Sequence, residues 1–147
     1  TTIVATFTLA VDATYKLRVE NPDGLSVLSS SALLTVSDAP TWSTTAGSLG
    51  EVDAGAAVSL DVDASSDSTV AFSETTSILT SNANTPASTM NLTLNSSTGA
   101  ITGTAPSATS ETTYNFTLRA TDAESQTADR AFSITVAVGM NNSGQFN

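Results

Sequence analysis

The chain has 147 residues, a formal net charge of −10 set by 14 acidic against 4 basic residues, and neither Cys nor His. The four cations Lys16, Arg18, Arg119 and Arg130 cannot neutralise a phosphate backbone or an anionic bilayer. No apolar stretch approaches the roughly 20 residues that span a membrane, so neither nucleic acid nor membrane insertion is expected. Without His and Cys, the Ser-His-Asp triad, imidazole ligation, thiolate chemistry and disulfides are all excluded.

Ser and Thr supply roughly a third of the residues, and β-branched Thr with turn-forming Ser favours strands and turns over helices. No window carries a helical stripe capped at both ends, so the class is all-β. Residues 2–9 set Ile3, Ala5, Phe7 and Leu9 against Thr2, Val4, Thr6 and Thr8, which predicts a half-buried strand. A second strand alternates Tyr15, Leu17 and Val19 with Lys16, Arg18 and Glu20. The turn Asn21-Pro22-Asp23-Gly24 follows, with Pro fixing φ and Gly accepting φ > 0, and residues 25–36 then predict the returning strand. Such strands form a sheet but cannot cover its apolar face, so the missing layer is expected upstream of Thr1. The start, Thr1-Thr2-Ile3-Val4, lacks an initiator Met and a signal-peptide core, and reads as a piece of something longer.

Asp38-Ala39-Pro40-Thr41-Trp42 reads as a linker, because Pro stops strand pairing. Residues 1–38 are therefore the closing strands of an incomplete domain, 39–138 a complete module and 139–147 a tail without core pattern. Within the module, strands are predicted over 57–63, 69–74, 90–94, 100–103, 114–121 and 128–138, between Ser, Asn, Gly and Pro-rich turns. Trp42 is expected to pack beneath the module's first strand, the alternative being to cement the two domains.

The candidate chemistry is acidic. Asp61 and Asp63 alternate on one strand, Asp67 follows in the next turn, and Asp122, Glu124 and Asp129 gather near a late hairpin. Hard oxygen donors suit Ca²⁺, which takes six to eight of them. The competing reading, preferred here, is of solvated carboxylates that keep a Ser/Thr-rich chain soluble, with no cofactor and no metal assigned. Paired carboxylates also serve glycosidases, but nothing locates a sugar cleft and no hydrolytic motif is present, so an enzyme is not expected. Arg119 and Arg130 lie on adjacent late strands and are predicted to pair across them with Asp122 or Asp129. Asn91, Asn95, Asn115 and Asn141 each begin a glycosylation acceptor pattern, which a Ser/Thr-rich chain generates by chance.

Three stretches carry a family resemblance: Asn95-Ser96-Ser97-Thr98-Gly99-Ala100-Ile101-Thr102-Gly103-Thr104-Ala105-Pro106, Thr113-Tyr114-Asn115-Phe116-Thr117-Leu118-Arg119-Ala120-Thr121-Asp122-Ala123, and Ala131-Phe132-Ser133-Ile134-Thr135-Val136. Over residues 40–138 the chain resembles the putative-Ig, cadherin-like repeat family, which implies an immunoglobulin-like antiparallel β-sandwich. The residues agree: Gly99 and Gly103 bracket a short strand that Pro106 ends, while Tyr114, Phe116 and Leu118 alternate toward a core faced by Phe132, Ile134 and Val136. In true cadherins carboxylates at domain junctions bind Ca²⁺; this sequence lacks the paired acidic linker motif and offers only Asp38 there.

Residues 15–24 resemble the closing strands of an IPT/TIG-type Ig-like domain. The tandem arrangement is similar to that of bacteriophage tail, baseplate and capsid-surface proteins and of bacterial surface proteins. The resemblance implies a structural, non-catalytic virion component acting as spacer or assembly module. Its partners would be other subunits of the assembly, copies of itself or other virion proteins. The alternative is a bacterial cell-surface adhesin repeat that binds protein or a host-surface glycan, for which Asn82, Asn84 and Asn91 offer amides but aromatics, at 5%, are scarce.

Overall fold

The structure, a computed structural model, describes residues 4–9, 11–80 and 89–138. The tail 139–147 and the amides of Asn82 and Asn84 fall outside the described residues. The chain divides into two compact units, Thr1–Asp38 and Ala39–Asn147.

The first unit is one interrupted hairpin. Strands β1 (Ala13–Tyr15) and β4 (Leu34–Val36) pair antiparallel, as do β2 (Arg18–Glu20) and β3 (Ser26–Leu28). Between the two stages, Ser29 N donates to Leu17 O and Leu33 N to Tyr15 O. The tip is the expected turn, with Gly24 at φ 86° and its N–H donating to Asn21 O. Two expectations fail. Residues 4–9 form no strand: their alternation supplies a face but no described strand pairs with them, and a strand needs its ladder. Residues 25–36 make two short strands because Ser29 Oγ accepts from Leu17 N at 3.1 Å and donates to Ser31 O at 2.8 Å, diverting the backbone from its ladder.

The second unit is a two-layer sandwich. One layer runs β6 (Gly47–Asp53), β13 (Thr127–Ala137), β12 (Thr112–Thr121), β9 (Ala71–Glu74); the other runs β10 (Thr93–Leu94), β11 (Ala100–Thr104), β7 (Ala57–Asp61). A short pair, β5 (Thr41–Trp42) with β8 (Ala64–Ser65), sits beside them. All these pairings are antiparallel except β6 with β13, which is parallel. In that pairing Ser133 faces Ser48 and Thr135 faces Glu51, so Leu49 and Gly50 together stand opposite Ile134, a bulge that Gly50 accommodates at φ 139°. Sequence patterning missed β6 because two glycines and this bulge erase its alternation. It also extended the 57–63 strand past Asp61, where the chain leaves β7 for the β5–β8 pair, and began the 90–94 strand at Met90 although pairing begins only at Thr93.

Both layers contribute to one core. β12 and β13 send in Phe116, Leu118, Ala120, Phe132, Ile134 and Val136, and the facing layer sends in Val58, Val62, Leu92 and Ile101. Each fully buried large side chain contributes about 1.5–3 kcal/mol relative to exposure. Trp42 packs into the core of its own module, but against β9 and β13 and not beneath the first predicted strand: its ring lies 5.3 Å from Phe132 and 5.7 Å from Phe72, and its Nε1–H donates to Ala128 O at 3.0 Å.

The turn before β11 fixes how closely that strand approaches the end of β7 in the same layer. Asn95 Oδ1 accepts from Ser97 N and Thr98 N, and Gly99 follows at φ 75° with its N–H on Asn95 O. A Cβ on Gly99 would stand 2.1 Å from the backbone oxygen of Val62, which itself accepts no relief from a flexible side chain. We expect Gly99→Ala to cost at least about 2 kcal/mol. Urea unfolding of the two chains measures it, and a difference within about 0.5 kcal/mol, the usual range of surface substitutions, would contradict this account of the turn.

Candidate functional site

The carboxylates predicted from the sequence separate into two groups. Asp61 is exposed on β7, and Asp63 is exposed beside it, its backbone tied to Thr44 by Asp63 N donating to Thr44 Oγ1 at 2.7 Å. Asp129 pairs with Arg119 across β12 and β13 through two hydrogen bonds of 2.7 and 2.8 Å. That hydrogen bond holds the Asp129 carboxyl below, and the Arg119 guanidinium above, their ordinary values. Asp67, Asp122 and Glu124, in contrast, come together: each brings a carboxylate oxygen within 4.8 Å of the others.

The topology explains this meeting. Along β12 even-numbered residues point inward, so Asp122, one residue past the strand, falls on the inward side at the end of the apolar layer and is only 5% exposed. Its Oδ1 accepts from Gln126 N at 2.7 Å, closing the β12–β13 hairpin, and its backbone N–H donates to Gln126 O. Ser68, in the loop between β8 and β9, binds this hairpin: its Oγ donates to Glu124 Oε2 at 2.6 Å and accepts from Ala123 N at 3.1 Å. Asp67 is thereby brought alongside, its Oδ1 accepting from Ser66 Oγ. Ser68 had no signal in the sequence beyond its place in an acidic, Ser-rich turn.

Arg130 departs from expectation. It pairs with neither aspartate; its Nη1 donates to Thr44 O at 2.6 Å and lies 3.5 Å from Trp42 O. Its even position turns it toward the inner side of the sheet and the β5 segment, away from the outer face where Asp129 meets Arg119.

A seventh carboxylate, Glu74 at the end of β9, was not singled out by sequence. The following turn wraps around it: Oε1 accepts from Thr76 Oγ1, Ile78 N and Leu79 N at 2.6–2.9 Å, and Oε2 from Thr80 N and Oγ1 at 2.8 and 2.9 Å. The turn is held so that Leu79 is fully buried, with Ile78 O and Leu79 O accepting from Met90 N and Leu92 N. Its only trace in sequence is an acid before a Thr/Ser run, which many solvated turns share.

On the outer face of the four-stranded layer, a shallow groove of about 550 Å³ has Asn115, Thr117, Ala131 and Ser133 as its floor and Thr76 and Gly47 at its sides. None of these is an acid or a base. Among the described residues, then, the carboxylate cluster is the one place where several ligand-type groups converge.

Burial alone would push the Glu74 carboxyl up, but the hydrogen bonds from Leu79, Thr80, Thr76 and Ile78 outweigh it and hold the group below the ordinary 4.5. A depressed folded value means that this stability is complete above the unfolded value and is lost as pH falls through the folded one. Glu74→Gln, which turns one acceptor into a donor facing Thr80, is expected to cost about 1–2 kcal/mol at neutral pH. The gap should narrow as pH falls below the ordinary 4.5 and on through the lower folded value, where the wild-type carboxylate protonates. Melting curves of both chains from pH 7 to pH 3 check this, and a gap independent of pH would contradict it.

No curated protein matches the chain. Among solved structures, extracellular cadherin domains 3–6 of protocadherin gamma B2 align at 18% identity with a TM-score of 0.48, covering 69% of this chain and 23% of that one. Domains 1–4 of protocadherin gamma B7 align at 16% identity and TM-score 0.46, covering 87% and 40%. A chimeric titin Z1Z2 tandem aligns at 18% and 0.44, covering 85% and 64%. The chain thus spans less than half the length of these protocadherin structures and just under two thirds of the titin tandem. A sequence profile matches residues 39–137, the whole sandwich from the linker to the last strand, and by that match the chain belongs to the family described as Putative Ig domain.

Proposed function

We propose that this chain is a structural, non-catalytic component of a virion, an Ig-like module that acts as spacer within a larger assembly. The observation that carries the assembly reading is the uneven distribution of apolar surface. Within residues 39–138, no described Val, Leu, Ile, Met, Phe, Tyr or Trp is exposed. In the first unit, Val4, Phe7, Leu25, Val27 and Leu33 are 60–86% exposed, and Leu17, Leu28 and Leu34 are exposed as well. Covering such side chains is worth about 1.5–3 kcal/mol each, and clustered apolar exposure of this kind marks an interaction surface. β-Strands of the surrounding assembly, from the same polypeptide or from a neighbouring subunit, are the natural cover for a two-stranded hairpin.

The absence of His and Cys and the uncharged outer groove support a mechanical role rather than a chemical one. The virion setting is supported by the likeness of the tandem arrangement to phage structural proteins. A bacterial surface repeat would share the module but would sit in the cell envelope.

Two measurements test this reading. The chain 1–147 is expected to bind a hydrophobic dye or to self-associate in light scattering, whereas residues 39–138, which hold a complete core, stay monomeric and dye-free. Equal behaviour of the two would remove the assembly argument. Trypsin cuts after Arg119 and Arg130, so the peptide 120–130 is expected in digests of purified virions. Its recovery from the cell envelope instead would favour the adhesin.

A further inference from the structure

The cradle around Glu74 ends β9 early, and the strand beside it is only half covered. β9 pairs with β12 from Leu118 to Thr121. Thr75 N then donates to Thr117 O at 3.0 Å, and Thr117 N donates to Thr76 Oγ1 at 3.2 Å. Past this point Ser77 stands at φ 59° and the chain folds back onto the Glu74 carboxylate. The edge of β12 from Thr112 to Phe116 therefore has no strand on that side among the described residues. Backbone groups alternate in direction along a strand, so those of Thr113 and Asn115 point the same way as those of Thr117, into the open slot. Both residues are exposed, and their N–H and C=O groups have no backbone partner there among the described residues.

The other free edges of the sandwich are guarded. β6 is bulged and carries Glu51 and Asp53, β7 carries Asp61, and on the far side of β9 Phe72 N donates to Ser96 O. Bulges and charges on an edge discourage strand addition. Residues 112–118 have neither charge, Pro, Gly nor bulge. The shallow groove of about 550 Å³ adjoins this slot, with Asn115 and Thr117 on its floor and Thr76 at its side, and it is uncharged as well.

We infer that the open half-edge of β12 is a docking slot for an extended peptide segment of another protein, which adds to the four-stranded layer as a short strand beside Thr112–Phe116. The unpaired groups of Thr113 and Asn115 recognise its backbone, and the groove receives an outward side chain of the added strand. The segment carries no acidic residue: the chain has a net charge of −10, Glu111 stands exposed at the mouth of the slot, and Arg119, the nearest cation in β12, is held by Asp129. A second copy of β12 does not fit. Placed antiparallel about Tyr114, the register that pairs Thr113 with Asn115, it would carry its Glu111 onto Thr117, where Thr75 and Thr76 already sit. The slot lies wholly in the second unit, so this inference stands apart from the uncovered hairpin and from the virion reading.

The first test is amide hydrogen exchange on the 1–147 chain. The N–H groups of Thr113 and Asn115 are expected to exchange at least about 100-fold faster than those of Tyr114 and Phe116, which face β13. Equal protection would mean that the slot is already filled, and would overturn the proposal. The second test selects random heptapeptides against the same chain. The peptides recovered should be rich in β-branched residues, lack Asp and Glu, and slow exchange at Thr113 and Asn115. Recovery of none, or of peptides that leave these two amides unprotected, overturns the slot. Methylating alternate peptide nitrogens should abolish binding in one parity and spare it in the other, whereas equal effects would contradict strand addition. Asn115→Pro removes an N–H that has no ladder partner, so it should shift the melting temperature by less than about 5 °C while weakening peptide binding at least about tenfold. Unchanged binding by a folded Asn115→Pro chain would place the peptide elsewhere.

Discussion

The ten-residue register between β12 and β13 is the constraint on which the second unit depends. From Thr112 opposite Val136 to Thr121 opposite Thr127, ten successive pairs keep one parity. Even positions face inward on both strands, so Phe116 meets Phe132 across the ladder and Leu118, Ala120, Ile134 and Val136 extend the same apolar face. A slip of one residue would bring Asn115, Thr117 and Ser133 inward and Phe116 and Phe132 out, undoing the whole core at once. β6 and β9 are added to the two edges of this ladder, and the three-stranded layer closes over its inner face. Trp42 reads the same parity from outside the sheet, since its Nε1–H reaches Ala128 O while its ring packs on Phe132.

That parity also decides how each acidic group is accommodated. Asp129, odd and outward, meets Arg119 on the solvent face, where both partners remain accessible and the pair contributes little to stability. Asp122, even, is carried inward at the point where the apolar layer ends, and one backbone amide satisfies only half of its carboxylate. Glu74 ends an edge strand and is received by a turn that supplies amide and hydroxyl donors to both oxygens. These are three arrangements of a charge near a core: an opposite charge, a cradle of donors, and a single backbone amide on one of two oxygens.

The fold was most legible where alternation was strict. Phe116, Leu118, Phe132, Ile134 and Val136 could be assigned to the core from period alone, and Gly99 and Gly103 marked the turns around β11. It was least legible where backbone geometry, rather than side-chain pattern, does the pairing. β6 joins a parallel ladder through a glycine bulge, and the serine run 29–31 breaks a strand whose pattern looked continuous. Half of the acidic candidates converge and half do not, because sequence order could identify which loops are acidic but not which loops share an end of the sandwich. Ser68 and the turn around Glu74 depend on contacts with backbone groups far along the chain or folded back upon it, and hydroxyls and amides of that kind leave no periodic trace.

The two units differ in how far each covers its own apolar side chains. In the second, large apolar side chains are wholly withdrawn from full exposure by strands of the unit itself, and the surface is left to Ser, Thr and carboxylates. In the first, short paired strands keep their turn and their ladder while leaving Val19, Val27 and Leu34 exposed. A two-stranded hairpin has backbone order without a second layer to reward it, and such hairpins are marginal in water. Free energy is therefore still to be gained at one end of the chain and has been used up at the other. The sandwich closes its own core with two layers, whereas the hairpin has its turn and its ladder but no second layer over its apolar side chains.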